Sequence, residues 1–298
     1  MQESRQSNFR GSTVQPYNRS QENRVIIYFH LIPAAGLANR LRAYASAAWI
    51  AEAVGARLII DWRADQAHGA RFGDLFTTLV DEGVEKTSGL PRKVLPMHLR
   101  RLPLKLFDGA RPDRVVELDT CFEVDVIDAP ADWPPLTERI RKHLACLEPV
   151  PEVQQRVSEL TSMLGGESLG IHIRAGEDVR FLSDGNVTAE QFLTATGQLA
   201  AELPEVKFYV ASDSAAAVAR FIERYGDRVI TAGGPAAPVK RRNAATVEGV
   251  REALIDLLVL GRTRRILGTY FSSFSWLAAV AGAVPMMTLA NRPRELSA

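Results

Sequence analysis

The sequence is poor in the residues that mark several protein classes. Only two of its 298 residues are cysteine, Cys121 and Cys146, so neither a disulfide framework nor a zinc site with Cys/His spacing is predicted. The longest apolar stretch, residues 276–284, is too short to span a bilayer and is followed by Pro285. The formal net charge is only +1, which argues against a dedicated nucleic-acid binder. Any anionic ligand must therefore be bound locally, by a few arginines and backbone amides.

The beginning of the sequence also lacks an apolar segment. Residues 1–23 are rich in Gln, Ser, Asn and Arg, which predicts a disordered tail. A secretory signal peptide would need an apolar core in this part of the chain. We therefore expect a cytoplasmic protein, in which the sequons at Asn18 and Asn186 are chance matches.

What the sequence does contain is an alternation of strand and helix patterns. The predicted strands cover about residues 25–29, 57–61, 168–174, 206–211, 228–230 and 265–268. The predicted helices cover about residues 37–54, 189–203, 214–225, 247–261 and 272–281. Because such alternation produces parallel sheets covered by helices, we expect an α/β fold. Residues 63–134 contain several prolines and are not assigned.

A Pro-rich segment near residue 149 predicts a domain boundary. We expect a first Rossmann-like domain over residues 24–148 and a second over residues 149–298, with parallel sheets facing a central cleft. Each domain would bind ligands at the carboxyl ends of its strands. No Gly-x-Gly-x-x-Gly follows the first strand, so a dinucleotide-dependent oxidoreductase is not supported.

The turn after the first predicted strand is one candidate site. Gly36 would let a ligand approach the backbone, Asn39 offers a donor and an acceptor, and Arg40 adds positive charge. The start of a helix favours anions because its N–H groups lack partners. The alternative is an ordinary strand-to-helix turn with a solvated arginine.

A second candidate lies at the end of the strand over residues 168–174. His172 and Arg174 share one face of this strand, and its carboxyl end would place them in the ligand crevice. The planar guanidinium of Arg174 can donate two parallel hydrogen bonds to a diphosphate. The alternative is an edge strand with one solvated face.

Four further residues could contribute to the same crevice. Asp256 lies among apolar residues of a predicted helix, where it either faces solvent or binds a polar group such as guanine. Ser272 and Ser273 precede the last helix and could cap it or hold a phosphate. Asp213 follows a predicted strand and is either a helix cap or a ligand contact.

In this order, these segments resemble the fucosyltransferase superfamily of nodulation fucosyltransferases, α1,6-fucosyltransferases and protein O-fucosyltransferases. The similarity rests on residues 36–41, 172–174 and 208–213, on Asp256, and on Phe271-Ser272-Ser273. It implies a GT-B-like fold and metal-independent, inverting transfer of fucose from GDP-fucose to a glycan or small-molecule acceptor. No cofactor is implied beyond the nucleotide-sugar donor. Another deoxyhexose or heptose donor, or a degenerate nucleotide-sugar-binding protein, is the alternative.

The resemblance also implies roles for individual residues. Arg174 would bind the diphosphate, His172 and Asp256 would contact guanine or ribose, and Asn39 would lie near the transferred sugar. Ser272 and Ser273 would hold phosphate oxygens, with Gly36, Arg40 and Asp213 as further donor contacts. Many relatives have a second arginine and an aspartate where this chain has Ala175 and Glu177. Glu177 and Asp178 are the candidates for a general base.

Overall fold

The protein is described by a computed structural model for residues 26–108, 113–174, 188–238 and 243–289. The predicted tail over residues 1–23 and the candidate base Glu177 lie outside these ranges. No helix in the described ranges combines the length and apolar character needed to cross a bilayer.

The first half of the chain forms a four-stranded parallel sheet. Its elements are β1 (Ile27–Pro33), α1 (Leu37–Val54), β2 (Arg57–Ile60), β3 (Arg92–Val94), β4 (Arg101–Leu102), β5 (Arg114–Thr120), β6 (Asp125–Val126) and α2 (Leu136–Leu144). The strand order is β2-β1-β5-β3, while β4 and β6 form a separate parallel pair. The apolar residues of β1 alternate in the direction they face, and Phe29 and Leu31 pack against α1 in a common core.

The second half forms a six-stranded sheet with helices on both faces. Its elements are α3 (Pro151–Leu164), β7 (Ser168–Ile173), α4 (Ala189–Glu202), β8 (Lys207–Ser212), α5 (Ala215–Tyr225), β9 (Val229–Thr231), β10 (Gly234–Pro235), α6 (Val247–Leu260), β11 (Arg265–Thr269), α7 (Ser273–Gly282) and β12 (Met286–Leu289). The strand order is β10-β9-β8-β7-β11-β12, and only the β9–β10 pair is antiparallel.

One apolar core extends through both halves. Its buried residues include Phe29 of the first sheet, Val157 of α3, Leu254 of α6 and Leu277 of α7. The ends of α6 and α7 lie so close together that a Cβ on Gly282 would be only 1.8 Å from the carbonyl oxygen of Gly261. A smaller core on the other face of the six-stranded sheet contains residues of β7, β8, α4 and α5.

The predicted α/β fold with two parallel sheets is confirmed. The unassigned stretch over residues 63–134 contains β3, β4 and β6, which have two or three residues each and give no clear periodic pattern, and also the seven-residue β5, which was missed. The strand β12 was also missed, since its four residues follow a turn after α7. The change from one sheet to the other occurs across α2 and α3, but the shared core continues through α3. The domain boundary at residues 148 and 149 therefore stays a prediction.

Candidate functional site

The six-stranded sheet has a topological switch point between β7 and β11. From β7 the chain proceeds to β8 and β9 on one side, and it later returns through α6 to β11 on the other side. Open α/β sheets bind ligands in the crevice at such a point, outside the carboxyl ends of the strands. The two strand ends are linked here, because the backbone N–H of Arg174 donates to Oγ1 of Thr269 at 2.9 Å. Arg174 therefore begins the loop at the switch point.

The side chain of Arg174 lies next to a second predicted residue, Asp213. Nη1 of Arg174 is 2.9 Å from Oδ2 of Asp213, and the two side chains are 43% and 27% exposed. Ser212 fixes the loop that carries Asp213, since its Oγ donates to the carbonyl of Ile173 at 2.8 Å and accepts from the N–H of Ser214. A part-exposed ion pair contributes little to stability, so an incoming phosphate can compete for this guanidinium at small cost.

His172 lies under the same loop. Its ring is buried, is stacked on Phe274 at 4.8 Å with an interplanar angle of 22°, and has Nδ1 3.5 Å from Oγ of Ser272. Ser272 precedes α7, but its hydroxyl makes no capping hydrogen bond to this helix. By contrast, Oγ of Ser214 accepts from the N–H of Ala217 and caps α5. The hydroxyl of Ser272 therefore does not cap α7, which was the alternative role expected from the sequence.

The start of α7 supplies the second electrostatic feature of the site. Ser273 is the first residue of this helix, and the helix begins beside the switch point. The amide groups of a first helical turn carry partial positive charge and favour anions. Together with Arg174, this helix start can bind a phosphate or diphosphate.

Asp256 is fully buried within α6. Its Oδ1 lies 2.5 Å from the hydroxyl of Tyr209, a residue of β8. The carboxylate thus accepts a hydrogen bond inside the protein, as a buried carboxylate requires. The predicted contact between Asp256 and a nucleobase stays a prediction.

The turn after β1 also lies at a switch point, between β1 and β5 of the four-stranded sheet. Gly36 precedes α1 with an ordinary φ of −73°, and the space beside its Cα is open. Ala35 instead has the left-handed conformation, with φ of 64°. Oδ1 of Asn39 is buried and has no hydrogen-bond partner among the described residues. A buried acceptor without a partner is uncommon, and the predicted ligand contact of Asn39 stays a prediction.

Arg40 has a different environment from the one predicted. Its side chain is 1% exposed, and Nε, Nη1 and Nη2 contact the carbonyls of Ala35 and Arg63 and the carboxylate of Asp65 at 2.5–2.7 Å. Burial lowers the pKa of Arg40, while the charge of Asp65 opposes this shift. These contacts account for Arg40 without a ligand, and its predicted donor contact stays a prediction.

Residue patterns missed two groups that organise the site. The hydroxyls of Thr269 and Ser212 connect the ends of β7, β8 and β11, and Tyr209 holds Asp256. The sequence signal that could have indicated these bonds is a hydroxyl residue at the last position of β8 and of β11. Within the described ranges, no group of three or more His, Cys, Asp and Glu residues is arranged to hold a metal ion.

No protein-family profile matches the sequence, and no curated protein matches it significantly. Solved structures do match. NodZ α-1,6-fucosyltransferase soaked with GDP-fucose has a TM-score of 0.58 at 20% identity, with 91% of this chain and 95% of that chain covered. A variant of Arabidopsis thaliana FUT1 with GDP has a TM-score of 0.59 at 15% identity, with coverages of 90% and 71%. POFUT1 with GDP has a TM-score of 0.54 at 13% identity, with coverages of 88% and 97%.

These three structures agree with the resemblance drawn from the sequence motifs. The similarity extends over both sheets, since it covers about nine-tenths of the chain in each comparison. The chain therefore has the GT-B-like α/β fold of these fucosyltransferases.

Proposed function

We propose that the protein is a glycosyltransferase that transfers fucose from GDP-fucose to a hydroxyl group of a glycan or small-molecule acceptor. The observation that carries the proposal is the guanidinium of Arg174, which is part-exposed at the switch point of the six-stranded sheet, where the backbone N–H of Arg174 is bonded to Thr269 at the end of β11. The structures of similar fold that contain GDP or GDP-fucose support this choice of donor.

In the proposed reaction, the acceptor oxygen attacks the anomeric carbon of the donor as the bond to the diphosphate breaks, with inversion at that carbon. The main task of the protein is to stabilise the negative charge that develops on the diphosphate. Arg174 and the first turn of α7, with Ser272 and Ser273, perform this task without a metal ion.

We assign the remaining predicted residues supporting roles in this reaction. Asp213 orients the guanidinium of Arg174 before the donor binds, because the two side chains form an ion pair. His172, which lies beside Ser272, contacts the nucleoside, and the carboxylate of Asp256 accepts a hydrogen bond from Tyr209. Asn39 and Gly36 approach the transferred sugar from the first sheet. Glu177 is the proposed general base for the acceptor hydroxyl.

A donor panel tests the proposal directly. The purified protein is incubated with GDP-fucose, GDP-mannose, UDP-glucose and a nucleotide-heptose, and the released nucleoside diphosphate is measured with and without a mixture of glycan acceptors. GDP-fucose should be consumed fastest, and a chelator should leave the rate unchanged. Faster consumption of another donor would reassign the sugar. GDP binding without turnover of any donor would instead favour a nucleotide-sugar-binding protein.

A further inference from the structure

The turn between β11 and α7 contains an unusual aromatic residue. The N–H of Ser272 donates to the carbonyl of Thr269 at 3.2 Å, which closes a four-residue turn with Phe271 in its third position. Phe271 has φ of 59°, in the left-handed region. Turns of this kind favour glycine or asparagine at the third position, because a Cβ there is crowded by the backbone. The backbone conformation therefore disfavours phenylalanine.

Packing does not explain the phenylalanine either. The residue is 63% exposed, and its ring lies against that of the neighbouring Tyr270, at a centroid distance of 4.1 Å. Of the other non-glycine residues with positive φ in the described ranges, three are alanine and one is His98. A large apolar ring that is both conformationally disfavoured and exposed indicates a function outside the fold.

The position of this ring suggests the function. Thr269, two residues before it, is bonded to the backbone of Arg174, and Ser272, directly after it, lies beside His172. Phe271 therefore borders the site assigned above to the donor's diphosphate. A nucleotide-sugar has two flat apolar surfaces near its phosphates, the face of the base and the C–H face of the sugar, and either can stack on an aromatic ring.

We propose that Phe271 is a donor-binding residue whose ring stacks on a flat face of the nucleotide-sugar; this inference rests on the proposed function. The strained backbone is then the consequence of presenting the ring beside the phosphate site. A glycine at position 271 would suit the turn better but would lack the ring. Substitution by glycine therefore separates the effect of Phe271 on stability from its effect on binding.

The test compares Phe271→Gly, Phe271→Ala and Phe271→Trp by calorimetric titration with GDP and with GDP-fucose. The glycine and alanine variants should bind GDP-fucose about tenfold more weakly, and the tryptophan variant should retain most of the affinity. The melting temperature of the glycine variant should stay within about 2 °C of the parent, since the relieved strain offsets the lost ring contact. The matched control is Ala283→Gly, because Ala283 ends α7 in the same left-handed conformation. This variant should change neither affinity.

The two ligands identify the stacked face. Equal losses for GDP and GDP-fucose would place the ring against the nucleoside, and a loss confined to GDP-fucose would place it against the sugar. Unchanged affinity for both ligands in the glycine variant would overturn the inference. If the parent protein bound neither ligand, the proposed function itself would fail. If the parent bound the ligands and the variants had the same affinity, only the inference about Phe271 would fail.

Discussion

One predicted site arginine follows β1 of the first sheet and another follows β7 of the second. Each pairs with an aspartate, but the two differ in burial and in their other contacts. Arg40, after β1, is 1% exposed and contacts two carbonyls and a carboxylate of its own half. Arg174, after β7, has a side chain that is 43% exposed and pairs with Asp213. Both lie in the segments on which the sequence resemblance to the fucosyltransferase superfamily rests, so residue type alone does not separate them.

The difference shows which property decides the role of an arginine at a switch point. A guanidinium whose N–H groups are all used inside the protein stabilises a loop, and removing it leaves buried carbonyls without donors. A guanidinium in a part-exposed pair can exchange its partner for a phosphate. The predictions below test this distinction.

The largest effect is expected for Arg174→Ala. Losing one preorganised group that stabilises a developing charge slows catalysis by about 100- to 1000-fold. Sugar transfer should fall by that factor, while the melting temperature stays close to that of the parent. Arg220→Ala is the matched control, since Arg220 is also a part-exposed arginine paired with a carboxylate, Glu190. Steady-state transfer assays on both variants provide the measurement, and near-parental turnover of Arg174→Ala would remove the mechanism.

Arg40→Met should show the opposite pattern. Removal of this buried guanidinium should reduce the free energy of unfolding by about 3 kcal/mol, because the carbonyls of Ala35 and Arg63 lose their donor. Urea unfolding measures this loss, and GDP titration of the folded variant should give nearly parental affinity. A stable variant with weakened GDP binding would show instead that Arg40 is the donor contact predicted from the sequence.

Acidification should destabilise the protein through His68, a buried histidine close to Arg40. His68 is fully buried, and burial together with the charge of Arg40 lowers its pKa to about 4. Its pKa in the unfolded chain is about 6.5, so below that pH the unfolded state binds more protons and stability falls. Between about pH 7.5 and about pH 5 the loss due to His68 should be about 2 kcal/mol.

The measurement is urea unfolding of the parent and of His68→Gln at both pH values. Burial also lowers the pKa of His143, so the difference between the two proteins isolates the contribution of His68. The variant should be less stable at neutral pH but should lose less stability on acidification. An equal loss in both proteins would contradict the assignment.

The smallest effects are expected for two serines, Ser272 and Ser214, which both follow the carboxyl ends of strands in the six-stranded sheet. Ser272→Ala should weaken GDP binding about fivefold with little change in stability, because its hydroxyl does not cap α7. Ser214→Ala should lose about 1 kcal/mol of stability through the lost cap of α5, with unchanged GDP affinity. Calorimetry and urea unfolding of both variants give the comparison, and the reverse pattern would exchange the two roles.

The sequence predicted most of the second half because its strands are continuous apolar runs between amphipathic helices. The predicted strand over residues 168–174 became β7 over Ser168–Ile173, and Arg174, which was predicted as its last residue, lies directly after it. Within residues 63–134, β3, β4 and β6 could not be predicted, since they have only two or three residues each, whereas the seven-residue β5 was missed. Their position depends on pairing with distant strands, which leaves no local period.

The candidate site was predicted by residue type but not by environment. The motif around Arg40 gave no sign that Asp65, 25 positions later, would pair with it, because that contact depends on the tertiary fold. The same limit applies to the bond between Tyr209 and Asp256, which are 47 positions apart. The strain at Phe271 was also hidden, since a backbone angle cannot be read from a short polar segment.

The most direct test of the account is a crystal structure with GDP bound. We expect the diphosphate between the ends of β7 and β11, with its oxygens within hydrogen-bonding distance of the guanidinium of Arg174 and of the first turn of α7. A diphosphate bound elsewhere, with Arg174 still paired to Asp213, would contradict the central claim.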